Sequence, residues 1–495
     1  MNTEREHEPG TWNLEPGTAE FTMLGTTRRV HFVGIGGIGM SGIAELLANL
    51  GFAVSGSDAK RSDVTARLGQ CGVATFEGHA AGHVGDADVV VFSSAVKATN
   101  PEIVEARRRG IPVIPRAEML AELMRFRPAI VVAGSHGKTT TTSMIAETLE
   151  KAGLDPTAVI GGRLSAFGSN ARLGSGEYMV AEADESDRSF LLLWPAIAVM
   201  TNIDHEHMES YRSFEELQQA FADFGNRVPF YGAVVACADD SNLAPVLPRL
   251  TRRVITYGLD SLDAGFTGRE VELGAFGGRC VVHRGHRRLG ALELTLPGRH
   301  NLQNALAAVA VADRVGIDFA TVAAALRDFQ GAERRFERHG EHGGVLVIDD
   351  YGHHPTEIAA VLAAARVTLG RRLVVAFQPH RYSRTQALME AFGPALKEAD
   401  EIVLTDIYAA SEDPIPGVTV EALADSIRRG SGRPVRVAAT LDAVIAALVD
   451  AARPGDAVIM LGAGSIGTLP KPLIAALDRR GRPEGETRGA PGGTR

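Results

Sequence analysis

Cysteine is scarce in this chain. Cys71, Cys237 and Cys280 are the three it has in 495 residues, far apart and odd in number. Neither a disulfide framework nor a CxxC metal site can be read from them, and a reducing compartment fits that usage. A basic surplus is missing too. The formal net charge is -9, which argues against a nucleic-acid binder, where at least one domain usually carries excess lysine and arginine. Anionic ligands stay open, because glycine loops and a few placed cations bind phosphates even in an acidic protein. No apolar run approaches the roughly 20 residues of a membrane helix. Residues 1–27 are acidic and polar, without the apolar stretch of a signal peptide. We expect a soluble cytoplasmic protein with no membrane span and no nucleic-acid partner.

What is present is an alternation of short β-branched runs with helical patterns, which implies parallel sheets covered by helices. At about 150 residues per domain the length suggests about three domains. We expect a flexible tail over 1–27, a first α/β domain over 28–127, a central one over 128–338, a third over 339–480 and a second tail over 481–495. Pro128 and the glycine-rich stretch 339–344 mark the internal boundaries. No fixed-period repeat of the solenoid kind is visible.

Gly34-Ile35-Gly36-Gly37-Ile38-Gly39 matches G-x-G-x-x-G directly after a strand. It opens a helix with Met40, Ile43, Leu47 and Leu50 at helical spacing. A second strand ends at Asp58, 19 residues after Gly39. The glycines let a diphosphate sit on the helix N-terminus without a side chain in the way. Such a loop recognises a diphosphate and says nothing about nicotinamide, so a dinucleotide and a nucleotide-diphosphate sugar are both open. A second match, Gly462-Ala463-Gly464-Ser465-Ile466-Gly467, is equally a ligand loop or a turn.

Gly134-Ser135-His136-Gly137-Lys138-Thr139-Thr140 also follows a strand and opens a helix. Its N–H groups would cradle phosphates, with Lys138 reaching the β/γ-phosphates and Thr139 meeting Mg²⁺. The common form would need Gly at position 132, where Val132 stands, so this is a shorter variant. A nucleoside triphosphate with Mg²⁺ needs a carboxylate, and Glu182-Ala183-Asp184-Glu185-Ser186-Asp187 ends a strand on the same sheet edge. The next strand runs into Asn202-Ile203-Asp204-His205-Glu206-His207. That segment suits zinc less well than a second Mg²⁺ or phosphate contact, since further zinc ligands are not evident.

Those motifs appear in order with Pro297-Gly298-Arg299-His300-Asn301, Asp349-Asp350-Tyr351-Gly352-His353-His354-Pro355-Thr356 and Phe377-Gln378-Pro379-His380-Arg381-Tyr382-Ser383-Arg384-Thr385. Together they resemble the Mur ligase family over roughly residues 28–478. The resemblance implies an N-terminal Rossmann-like UDP-binding domain, a central P-loop ATPase domain with a mainly parallel sheet, and a C-terminal Rossmann-like amino-acid domain. It implies ATP and Mg²⁺ as cofactors. The implied reaction joins L-alanine to the lactyl carboxylate of UDP-N-acetylmuramate through an acyl phosphate, in peptidoglycan precursor synthesis. Addition of a murein peptide to the same acceptor is the nearest alternative, and a nicotinamide oxidoreductase or a non-catalytic P-loop sensor are more distant ones.

By that resemblance Gly36, Gly37, Ile38, Gly39, Asp58, Ser93, Ser94 and Tyr351 are expected at the substrate. Gly134, Ser135, His136, Gly137, Lys138, Thr139 and Thr140 are expected at ATP, joined by Asn301 and Asn304, which share one helical face at i, i+3. Thr139, Glu182 and His207 are expected to hold metal. Lys138, His207, His353, Arg381 and Arg384 are expected to carry catalysis, with His354 structural. The family often has Asp before the histidine of the 202–207 segment; here it is Glu206. Arg334 and Arg335 are open between a hinge role and a solvated basic pair. A monomer or homodimer is expected.

Overall fold

The computed structural model describes residues 24–480, apart from 94, 161–170, 207, 209, 275–276, 332–333 and 411. Both expected tails, Ser94 and His207 therefore lie outside the described residues, as does the side chain of Ile38.

Three sheets follow one another along the chain. The first has five strands, in the order Ala74–Glu77, Ala53–Asp58, Arg29–Val33, Val89–Phe92, Val113–Pro115, all parallel. Its central strand is buried from Val30 to Val33, as a strand covered on both faces is, and helix Ile38–Asn49 leaves it through the glycine loop and buries Met40, Ile43 and Leu47. The second sheet has ten strands. Ala129–Ala133 sits inside it between Ile197–Met200 and Met179–Glu182, parallel to both. The third has six strands, five of them parallel and one, Glu337–His342, antiparallel at an edge. The α/β class with three units and parallel-rich sheets is therefore as expected.

One part of the second sheet departs from the β-α alternation. Phe266–Gly274, Gly277–Arg284 and Arg287–Leu294 form an antiparallel extension. Its tight turn carries Gly285 at φ +57°, the left-handed conformation that two-residue hairpin turns require.

The apolar cores divide the molecule differently from the sheets. One continuous core runs from Val30 to Phe329, through the first two sheets. The third sheet has its own apolar layers, one on each face. The loop after strand Ala457–Leu461 is a structural turn. A side chain on Gly464 would stand 2.5 Å from Gln378 Oε1 and 2.6 Å from the Tyr408 ring. Gln378 Oε1 already accepts the Ile466 N–H at 2.9 Å, so that amide is taken by the protein, while Ala463 of the same loop lines a cavity. Among the described residues no helix is long and apolar enough to cross a membrane.

Helix Lys138–Lys151 carries a titratable liability. Burial pushes the Glu147 carboxyl up from 4.5 to about 7. Between those values the folded state keeps a proton that the unfolded chain has lost, so stability falls as pH rises through that window. Glu147→Gln should raise stability at pH 8 by on the order of 1–2 kcal/mol and leave it unchanged at pH 4. Denaturant titrations at the two pH values check both halves.

Candidate active site

The 134–140 loop begins where strand Ala129–Ala133 ends. Gly134 has φ +143°, and a Cβ there would fall 2.0 Å from Thr201 Oγ1. The close approach exists because the end of the neighbouring strand braces the loop. Ser135 N donates to Asn202 O at 3.0 Å. His136 N donates to Asn202 Oδ1 at 2.7 Å, and Thr201 Oγ1 donates to His136 O at 2.7 Å. Asp204 N donates to Ser135 Oγ at 2.8 Å. Residues 201–204, read from sequence as a metal or phosphate segment, thus hold the loop in shape.

Lys138 Nζ reaches Gly134 O at 2.5 Å, Ser135 O at 3.2 Å and Glu185 Oε1 at 2.8 Å. Burial alone would lower its pKa. The charges of Glu185 and Glu182 outweigh that and hold it above the usual lysine range. Thr139 Oγ1 donates to Glu182 Oε2 at 2.9 Å. This pair of hard oxygen donors at a strand end, beside a phosphate loop, is the donor chemistry Mg²⁺ takes. Asn304 lies over the loop, its Oδ1 2.7 Å from where a Gly137 side chain would start. Asn304 Nδ2 donates to Asn301 Oδ1 at 3.4 Å.

The third unit closes over this loop. Asp204 Oδ2 meets His136 Nε2 at 2.9 Å and accepts Thr356 Oγ1–H at 2.6 Å. Glu357 Oε1 lies 3.6 Å from His136 Nδ1. Burial opposes a charge on His136, but the hydrogen bond to Asp204 and the nearby Glu357 carboxylate push its pKa up to about 10. His354 caps helix Pro355–Leu369 by accepting Thr356 N–H, and it stands with His136 and Asp204 in a group close enough to hold a metal ion. His353 is different. Its ring is buried, with Nδ1 3.1 Å from Tyr351 O, and burial brings its pKa down to about 3. Arg334 and Arg335 are no solvated pair. Both guanidiniums lie 5.3 Å from the centre of the Tyr351 ring. Arg334 is held by Asp349 at 2.8 Å, and Arg335 is 3.7 Å from Glu357.

Two cavities flank the loop. One, of about 510 Å³, is lined by His136, Thr140, Asn202, His300, Asn301 and Asn304 among others. The other, of about 700 Å³, runs from Gly37, Gly39 and Ser93 past Ser135, Lys138, Thr139 and Glu182 to Tyr351, His353 and Arg384. They meet at Gly137, Arg335 and Glu357.

Three expected residues stand elsewhere. Asp58 does not line either cavity: its Oδ2 accepts the Gly36 N–H at 2.8 Å and fixes the first glycine loop. Gly36 lies on that brace rather than in the wall. Arg381 is outside both cavities, with φ +70° and its guanidinium 3.8 Å from Glu412. Of the two arginines in that motif, Arg384 is the one in the cleft. The sequence reading missed Asp204, Glu185 and Glu357 as individual partners. The acidic run 182–187 was the only sequence signal for Glu185.

A Gly-Lys-Thr loop after a strand, facing strand-end carboxylates and sharing a cleft with a second glycine loop, has the makings of an enzyme site for a nucleoside triphosphate and a second phosphate-bearing ligand. Family models match the chain as "Mur ligase family, catalytic domain" over residues 29–128, "Mur ligase middle domain" over 132–312 and "Mur ligase, glutamate ligase domain" over 334–464. The chain belongs to the Mur ligase family. Among its curated relatives, the UDP-N-acetylmuramate–L-alanine ligase of Geobacter sp. (strain M21) is 54% identical over 456 residues, 92% of this chain and 99% of the relative. That of Geotalea uraniireducens is 53% identical, with 92% and 99% covered. Among solved structures, a UDP-N-acetylmuramate-alanine ligase from Thermotoga maritima superposes with a TM-score of 0.79 at 30% identity, covering 91% of this chain and 99% of that one. A murein peptide ligase from Psychrobacter arcticus gives 0.70 at 26% identity, with the same coverage.

Gly134→Ala tests the brace. A side chain at that φ, against Thr201, should cost about 1–3 kcal/mol and abolish ATP binding. A denaturant midpoint and an ATP titration measure both; retained ATP affinity would show that the loop shape is not needed.

Proposed function

We propose that this protein is an ATP-dependent ligase that joins L-alanine to the lactyl carboxylate of UDP-N-acetylmuramate in peptidoglycan precursor synthesis. The observation that carries the reading is the meeting of two cavities at the tip of one phosphate loop. Relatives more than 50% identical over nearly their whole length bear that name.

A carboxylate is a poor electrophile at neutral pH. Transfer of the γ-phosphoryl group of ATP gives an acyl phosphate; the alanine amine attacks it, and the tetrahedral adduct collapses with loss of phosphate. Positioning and charge neutralisation supply most of the acceleration in such a sequence. We place ATP in the smaller cavity, with its phosphates on residues 134–140 and Asn301 and Asn304 beside it. The nucleotide-sugar lies in the larger cavity, from Gly37, Gly39 and Ser93 toward Lys138. The phosphoryl group then passes at the shared wall, where Lys138 and Arg335 bring positive charge. Thr139 and Glu182 would hold Mg²⁺, which neutralises phosphate charge when bound; His207 is proposed for a second ion on the family resemblance alone. Arg384 suits the alanine carboxylate through its fork of donors. His353 and Tyr351 lie at the amine end, and a neutral imidazole there can accept a hydrogen bond from the incoming amine.

We propose the division 28–127, 128–338 and 339–480 for the UDP-sugar, ATP and amino-acid domains. The proposed setting is the cytoplasm, and a monomer or homodimer is the proposed assembly. Cys71, Cys237 and Cys280 are all free thiols, in keeping with a reducing compartment.

Phosphate release should require ATP, UDP-N-acetylmuramate and L-alanine together. Lys138→Ala should lower turnover by about 10²–10³ while the circular dichroism spectrum is kept. Near-wild-type turnover in that variant would sink the ATP site. Faster release with a murein tripeptide than with alanine would select the peptide-adding alternative.

A further inference from the structure

The most heavily bonded buried carboxylate of the first unit is far from the phosphate loop. Glu102, in the first turn of helix Pro101–Arg108, has no solvent exposure. Oε2 accepts the Ser57 hydroxyl proton at 2.6 Å and lies 3.2 Å from His31 Nε2. Oε1 accepts Ala80 N–H at 3.1 Å and lies 3.0 Å from His83 Nδ1. Burial alone would raise its pKa, but the bonds from His31, Ser57 and Ala80 bring it down to about 2, so this carboxylate only accepts.

That fixes the protons further out. Ser57 has one hydroxyl proton, and Glu102 takes it. Ser57 Oγ is also 2.9 Å from His79 Nδ1, so it must accept there, and His79 carries its proton on Nδ1. With the Nδ1 proton so engaged, the ring nitrogen left to face outward is Nε2, which offers a lone pair in the Nδ1–H tautomer. His79 is 24% exposed while Glu102 and His31 are closed to solvent. The relay therefore runs from a sealed anion to an accessible acceptor.

Its outer end lies at the carboxyl edge of the first sheet, the edge on which parallel α/β sheets bind ligands. His79 directly follows strand Ala74–Glu77 and its turn, and Gly78 N donates to Asp58 O at 2.7 Å. Asp58 in turn holds Gly36 of the first glycine loop at 2.8 Å. A nucleotide whose diphosphate sits on that loop carries its nucleoside toward these strand ends.

We propose that Glu102 is a positioning residue for the nucleotide half of the substrate: through Ser57 it presets His79 as a hydrogen-bond acceptor for a donor group of the nucleoside. The donor is a ribose hydroxyl or the imide N–H of a pyrimidine dione. The inference rests on the ligase reading only in its choice of UDP as the probe.

Calorimetric titration of the full-length protein with UDP tests it. Glu102→Gln, Ser57→Ala and His79→Ala should each weaken UDP about tenfold, as loss of one buried hydrogen bond does, with ATP affinity unchanged. Adding Glu102→Gln to His79→Ala should cost nothing more. In turnover, KM for the nucleotide-sugar should rise while kcat and KM for ATP stay. Comparison with 2′-deoxy-UDP and CDP identifies the donor: the ligand that lacks it should bind wild type and variants equally. A UDP affinity in Ser57→Ala and Glu102→Gln within twofold of wild type, with only the melting temperature lowered, would overturn the proposal in favour of a structural carboxylate. Multiplicative losses in the double variant would overturn it as well. Failure of phosphate release with UDP binding intact would sink the ligase reading and leave this one standing.

Discussion

Lys138 keeps an ammonium group where only 16% of its side chain meets water. A cation so placed costs several kcal/mol unless its protons are all bonded. Two go to carbonyls of its own loop and the third to Glu185. The loop turns its Gly134 and Ser135 carbonyls inward to the ammonium, in a backbone path that has Gly134 at φ +143° against Thr201. The shape of the phosphate cradle, the register of segment 201–204 against it and the burial of Glu185 come together around this one charge. In the proposed reading a γ-phosphate would compete with Glu185 for that same charge. An anion already waiting on the lysine keeps the empty loop from collapsing.

The cores show how the third unit is held over this loop. The first two units share one apolar core, so they move together. The third has separate apolar layers, and its residues at the site meet the loop through polar contacts: Thr356 with Asp204, Glu357 with His136. Polar contacts between units exchange readily with water, unlike a shared apolar core, so this seam is the one able to open. His136 belongs to the phosphate loop and is bonded across the seam, so the loop's own geometry reports whether the third unit is seated.

Much of this was legible in the sequence because it is local. A strand, a glycine turn and a helix are contiguous, so both glycine loops and the strand-end carboxylates could be read directly. Val132, which looked like a missing glycine, is inside the strand; the turn starts only at Gly134 and needs nothing earlier. Partners distant in sequence could not be read. Asp204 lies 68 residues from His136 and 152 from Thr356, and no spacing rule connects them. Asp58 and Arg381 were misplaced for a related reason. Their motifs put them at the right edge, but a backbone N–H of the first loop and Glu412 took the side chains. The antiparallel extension of the second sheet broke an otherwise regular alternation, and the sign of it was a glycine at one tight turn.

Two histidines at the seam between the second and third units show how environment, not residue type, sets the chemistry. His136 lies between Asp204 and Glu357, and two carboxylates overcome the cost of burying its charge. His353 is equally buried, but Glu357 is its one nearby anion, at 3.5 Å, and Arg384 and His380 oppose a further positive charge. Burial and partners thus favour a charged ring beside the smaller cavity and an uncharged one in the wall of the larger. A phosphoryl group leaving ATP needs positive charge around it. An amine about to attack needs a hydrogen-bond acceptor nearby, which an uncharged ring supplies. Glu357 lies within 3.6 Å of both rings: beside His136 it adds to Asp204 in favouring the charged ring, while at His353 burial prevails over it.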